Sequence, residues 1–350
     1  MKLLKYSDIC LIPSYSECIS RSDCDTSVRL GKNRFKNPAI PANMKSVINE
    51  NLCHQLSENG YFYVMHRFDV DITQFVLNAS TNNWKTISIS VGVKDEDIEL
   101  IKQLGELCDM GEGRLQGGTL PCRVDYITID IAHGHSLSMK RMIEYVKENL
   151  PHAFLIAGNV ATKEGVRDLY SWGADAIKVG IGQGSPCTTK DKTGFTIPMF
   201  SCVKECAHSA MTSSGDFISI ATASASEDFD LPSRIPIIAD GGVKCNRDIA
   251  KALVGGADMV MCGGIFAQCS DSPAETVNAQ GKSIKSYYGS ASIYNKKDNK
   301  HIEGIMKHLP ASNLTFLEKM KEITEDLKSS ISYAGGKSIL KLRDTSFEIY

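Results

Sequence analysis

Eight short apolar runs, separated by helix-forming stretches, limit what this chain can fold into. They are PAIPAN (38–43), YFYVMHR (61–67), TISISVGV (86–93), YITIDIA (126–132), AFLIAGNV (153–160), AIKVGIG (176–182), PIIADGG (236–242) and MVMCGGIF (259–266). Each has the length and β-branched or aromatic character of a strand covered on both faces. Between them lie DEDIELIKQLGEL, SMKRMIEYVKENL, KEGVRDLYSWG and NRDIAKALVGG, which carry apolar residues at helical spacing. Thr162 stands where an N-cap belongs before KEGVRDLY, and glycines close the last two stretches. Strand and helix alternating to a count of eight predict a parallel sheet with right-handed crossovers. Eight such units close into a (β/α)₈ TIM barrel, an α/β fold spanning 1–350 as a single domain. An open doubly wound sheet would usually carry G-x-G-x-x-G after an early strand, and the first two units have none.

Three segments break the rhythm. Residues 105–123 are Gly-rich and 209–234 are rich in Ser, Ala and Asp; both read as surface insertions, at least partly mobile. Residues 268–312 follow the eighth run and are mostly polar, which predicts a mobile functional flap. After it, LTFLEKMKEITEDLKSSISYAGG has the spacing of a long final helix.

A net charge of −2 provides no global basic field, so neither nucleic acid nor an anionic membrane is an expected partner. Any phosphate must be held locally. No apolar run approaches the roughly 20 residues of a membrane span. The opening MKLLKYSDIC is too short and too quickly polar for a signal peptide, so the expected compartment is the cytoplasm. The 12 cysteines include no C-x-x-C pair, which argues against a zinc ribbon or thioredoxin-type site. Free thiols are expected, most of them small buried hydrophobes.

In a barrel, functional residues sit on the loops that follow strands. After the sixth run, VGIGQGSPCTT carries glycines at 180, 182 and 184, then Ser185 and Cys187. A thiol beside Gly-rich backbone and two threonines is a better candidate nucleophile than any other cysteine here. After the seventh run come Asp240, Gly241 and Gly242, and after the eighth Gly263 and Gly264. Adjacent Gly-Gly turns, each followed by a helix, suit a phosphate, and Asp240 suits ribose hydroxyls. Asp130 ends the fourth run and reads equally as a ligand contact or a buried structural acid. His133 and His135 lack a convergent third ligand and read as a polar loop, not a metal site. By itself, Glu303 in KHIEGIM is indistinguishable from a solvated charge.

Together GIGQGSPCTTKDKTG, IADGG, MCGGIFA and SSISYAGG resemble the purine-nucleotide barrel family of IMP dehydrogenase and GMP reductase, over roughly 5–345. SDICLIP, SRSDCDT, PANM and YVMHRF are similar to its reductase branch. IMP dehydrogenases typically insert an accessory domain pair after the second strand, whereas HRFDVDITQF runs straight into helix. They also activate water with a flap Arg-Tyr pair, and here no arginine lies between Arg247 and Arg343. Thr189 and Glu303-Gly304 match the reductase pattern instead.

The resemblance implies NADPH-dependent reductive deamination of GMP to IMP and ammonia, through a covalent thioimidate on Cys187. Thr189 and Glu303 would handle protons for the leaving amine. Ser185, Gly242, Gly263 and Gly264 would hold the phosphate, with Gly241 in the same cradle, and Asp240 the ribose. Gly289, Ser290, Ala291 and Lys300 through Gly304 would surround the base. Ser20, Arg21, Arg67, Asp130, Ala132 and Asn159 match cofactor contacts. Ser329 and Tyr333 match contacts to a neighbouring subunit's adenosine end, which implies a homotetramer. Backbone carbonyls of Gly182, Gly184 and Cys187 match a monovalent-cation (K⁺) site. Gln183 stands where the family usually has proline, Arg67 where many members have lysine, and Ser290-Ala291 and Lys300 where Met-Ser and Arg are common. The competing expectations are an IMP dehydrogenase without accessory domains and a non-catalytic nucleotide-binding barrel.

Overall fold

The computed structural model describes residues 2–112, 122–209, 234–279, 281–295 and 302–350. Of the predicted insertions, 113–121 and 210–233 lie outside the described residues, as does Lys300.

A seven-stranded parallel sheet curls around a central core, and its order runs Ala39–Pro41, Met259–Cys262, Ile237–Asp240, Ala176–Val179, Phe154–Val160, Tyr126–Asp130, Ser88–Val91. The second of the eight runs occupies the remaining position. Residues 61–65 join the sheet through a parallel bridge between Met65 and Ile89 and through the Met65 N–H donating to Ser88 O at 3.1 Å. With that run in place the strands follow the chain order of a (β/α)₈ barrel.

Helices occupy the predicted positions because their ends are capped. Thr162 accepts from the Gly165 N–H ahead of Lys163–Ser171, and Ser136 from Met139 ahead of Leu137–Asn149. Thr315 and Glu318 form a reciprocal capping box at the start of Phe316–Tyr333. The helix Asp95–Glu112 takes in the first part of the Gly-rich 105–123 stretch. The termini meet where Ile9–Leu11 pairs antiparallel with Phe347–Ile349.

Two apolar compartments follow from strand alternation. One lies between sheet and helices. The other fills the barrel with Ile40, Phe62, Val64, Tyr126, Ile156, Ala176, Ile238 and Met259, all buried. A short hairpin, Val28–Leu30 with Asn33–Phe35, seals the end at which the strands begin. There Tyr126 Oη donates to Leu30 O at 2.7 Å, and Phe35 and Phe62 rings pack 5.0 Å apart. The opposite end, where the strands finish, changes character. Continuing the same alternation, Tyr126 and Thr128 lead to Asp130, Ala176 to Lys178, and Ile238 to Asp240. The barrel is therefore apolar at its floor and ionic at its mouth.

Within 268–312 the structure describes residues 268–279, 281–295 and 302–312. Strands Thr276–Ala279, Lys282–Tyr288 and Met306–Pro310 form an antiparallel sheet. Ser46 Oγ in the first barrel loop donates to Tyr288 O at 3.1 Å, which anchors that sheet over the mouth.

Candidate active site

Cys187 ends the loop after the sixth strand, and a tight turn fixes it: its N–H donates to Gly184 O at 3.0 Å. Its thiol donates to Thr189 Oγ1 at 3.2 Å, and Thr189 Oγ1 donates in turn to Glu303 Oε2. Thr189 is nearly buried and begins the single helical turn Thr189–Thr193. Glu303 arrives from the flap. The Thr188 N–H donates to its carbonyl at 2.9 Å, and its own N–H donates to Ala291 O at 3.0 Å. Gly304 bridges both Cys187 and Ser292, and the Ile305 N–H donates to Pro186 O at 2.9 Å. A neighbouring pair and a residue 114 positions beyond Thr189 thus form one line of contacts: thiol, hydroxyl, carboxylate.

The expected base-contacting residues collect beside this line. A Cβ on Gly289 would lie 3.6 Å from Pro186, and the Ser292 N–H closes a turn onto Gly289 O at 3.1 Å, with Ser290 and Ala291 inside it. Ser185 is exposed on the same loop. The Gly242 N–H donates to Gln183 O at 3.1 Å and ties the seventh loop to the sixth. Gly263 faces the flap, where an added Cβ would meet Tyr287 Oη at 2.1 Å. Each glycine turn is followed by a helix. The one after Gly242 starts only at Asn246, and Gly264–Ala267 is a single turn. Gln183 fills the usual proline position differently, because its amide donates to Thr196 Oγ1 and pins the loop through a side chain.

The mouth also holds a residue that motif reasoning passed over. Lys178, with a side chain only 1% exposed, donates to Asp130 Oδ1 at 2.8 Å and Asp240 Oδ2 at 2.6 Å, and also to Asn159 Oδ1. Burial opposes its charge, but the two carboxylates outweigh that and hold its pKa above the ordinary lysine value. Burial likewise opposes ionisation of Asp130, yet Lys178, Arg67 and the Asn43 amide at 2.8 Å hold its carboxyl below the usual range. The signal was present in the sequence: a lysine in a strand buried on both faces must find acidic partners. Gly158 makes room for it, since a Cβ there would overlap Lys178 O at 2.4 Å and Lys178 Cβ at 2.7 Å.

The residues expected at the cofactor divide into two groups. Arg67, Asp130 and Asn159 line the mouth, with Ala132 exposed just beyond. Arg21 instead meets Ser329 Oγ and Tyr333 Oη, each at 3.2 Å, beside Ser20 and within one chain. His135 hydrogen-bonds Asp168 at 2.7 Å.

A sequence model of the IMP dehydrogenase / GMP reductase domain matches residues 3–349. The chain belongs to that family. A GMP reductase of Albidiferax ferrireducens is 45% identical over 349 residues, covering 99% of this chain and 96% of the relative. One from an Acidovorax species is 44% identical over 351 residues, covering 100% and 96%. A third, from Mesoplasma florum, is 44% identical over 352 residues, covering 100% and 98%. The IMP dehydrogenase / GMP reductase family is one of oxidoreductases, and the GMP reductases among these relatives match this chain along almost its whole length. The alternation of buried strands and capped helices is thus the family's barrel.

Proposed function

We propose that this chain is a GMP reductase that converts GMP to IMP and ammonia with NADPH, serving purine nucleotide interconversion in the cytoplasm. The observation that carries the reading is the Cys187–Thr189–Glu303 line of contacts. The Cys187 thiolate attacks C2 of GMP to form a carbon–sulfur bond. The C2–amine bond then breaks, and ammonia leaves with a proton delivered through Thr189 from Glu303. When bound, the nicotinamide cofactor would supply a hydride equivalent to C2, and Cys187 would leave as thiolate to free IMP.

The residues present fit both ligands. Ser185, Gly241, Gly242, Gly263 and Gly264 hold the phosphate, Asp240 the ribose, and Gly289, Ser290, Ala291, Lys300 and Gly304 the base. Arg67, Asp130, Ala132 and Asn159 face the nicotinamide end. The buried Nε of Arg67 is without a hydrogen-bond partner among the described residues, as expected of a cation shaped to receive a ligand. Ser20 and Arg21 also contact the cofactor, and Ser329 and Tyr333 reach the adenosine end held by a neighbouring subunit of a homotetramer. The 268–312 segment acts as the catalytic flap. The Gly182, Gly184 and Cys187 carbonyls could accept K⁺; the turn already uses one lone pair of Gly184.

The deciding experiment is GMP-dependent NADPH oxidation with ammonia detection, repeated for Cys187→Ala, which should abolish it. Appreciable XMP from IMP and NAD⁺ would instead identify an IMP dehydrogenase. NADPH consumption that ignores GMP would sink the assignment.

A further inference from the structure

We propose that Lys178 is a positioning residue that holds the substrate half and the cofactor half of the site in register, so that disturbing its geometry weakens both ligands together. The inference rests on the proposed roles of Asp240 toward GMP and of Asp130 and Asn159 toward the cofactor.

An ammonium has three N–H donors, and here all three are committed, to Asp130, Asn159 and Asp240. Lys178 therefore has no donor left for a ligand and acts only through its partners. Those partners come from three different strand ends, those of Tyr126–Asp130, Phe154–Val160 and Ile237–Asp240. The Asn159 amide adds its own bonds to Asp240 Oδ2 at 2.9 Å and Gly180 O at 2.7 Å. Each carboxylate keeps about a fifth of its surface open, 21% for Asp130 and 23% for Asp240, whereas the lysine is closed off. The arrangement is a buried cation with two half-open anions that face the mouth. Without the cation, two carboxylates in one confined space would repel each other, and each would leave the position its ligand needs.

Arginine would keep the charge but not the arrangement, because a planar fork cannot meet three acceptors placed around a single nitrogen.

The test uses full-length Lys178→Arg and Lys178→Met beside Asp240→Asn and Asp130→Asn. GMP binding is measured by calorimetry and NADPH binding by its own fluorescence, each ligand alone, together with KM, kcat and melting temperature. The expected result is that Lys178→Arg weakens GMP and NADPH alike, each by about tenfold or more, with kcat less affected. Asp240→Asn should weaken GMP only, and Asp130→Asn NADPH only. If Lys178→Arg lowers the melting temperature while both affinities stay normal, the lysine is merely structural and the proposal is wrong. Loss of one affinity alone also overturns it. Should Lys178→Met fail to fold, Lys178→Arg carries the test. These bindings are read without turnover. A wild-type protein that binds both ligands but releases no ammonia would refute the proposed reaction, not the role of Lys178.

Discussion

Thr189 and Glu303 are hydrogen-bonded across 114 residues of sequence, hydroxyl to carboxylate. The same two segments are joined again where the Thr188 N–H meets Glu303 O at 2.9 Å. Glu303 is thus held by its backbone and used by its side chain. If that carboxylate moves the proton for the leaving amine, Glu303→Gln should lower kcat by about 100-fold or more while GMP affinity changes little. Steady-state kinetics with a separate GMP titration decide it. Near-normal turnover would place the proton route elsewhere.

Gly263 and Tyr287 make a second prediction. A Cβ at 263 would meet Tyr287 Oη at 2.1 Å, and Tyr287 is buried on the flap sheet. Gly263→Ala should cost about 1–3 kcal/mol of stability through overpacking. Removing the hydroxyl in Gly263→Ala/Tyr287→Phe should recover part of that cost. Chemical denaturation of the two single variants and the double variant gives the coupling. Strictly additive effects would show that the flap does not press on this turn.

His66 predicts an acid-side loss of stability. Burial, with Lys45 adding to it, pushes its imidazolium down to about 4. The unfolded chain binds that proton near pH 6.5, whereas the folded chain resists it to about 4. Stability is therefore full above 6.5 and falls as pH drops from 6.5 toward 4, by an amount on the order of 2–3 kcal/mol. Because the Phe68 N–H donates to His66 Nδ1 at 3.2 Å, His66→Asn keeps an acceptor while removing the titration. Melting curves across pH 4–7.5 should be flatter for that variant. Identical slopes would remove His66 as the cause.

The barrel was legible in the sequence because its strands are covered on both faces and read as unbroken apolar runs. Tyr126–Asp130 and Ala176–Val179 are the plain cases. The run at 61–67 was found the same way, although it joins the sheet through one bridge rather than as a regular strand. The Cys187 loop was legible because a nucleophile beside closely spaced glycines is a local pattern. Lys178 was missed because its importance lies in partners on other strands, with only its place in an apolar run to mark it. Glu303 looked like a solvated charge because nothing next to it in sequence reveals that Thr189 awaits it.

What the sequence determined by itself was periodic or contiguous: strand count, capped helices, the thiol loop and the paired glycine turns. Those features depend on neighbours within a few residues, and local sterics and burial settle them. The tertiary structure alone decided the convergences. It brought Asp130, Asn159 and Asp240 around one ammonium, set Arg21 against Ser329 and Tyr333, and laid the flap carboxylate beside Thr189. Closing the barrel brings strand ends dozens of residues apart within hydrogen-bond reach. That closure is a property of the whole sheet, which no single stretch of the chain encodes.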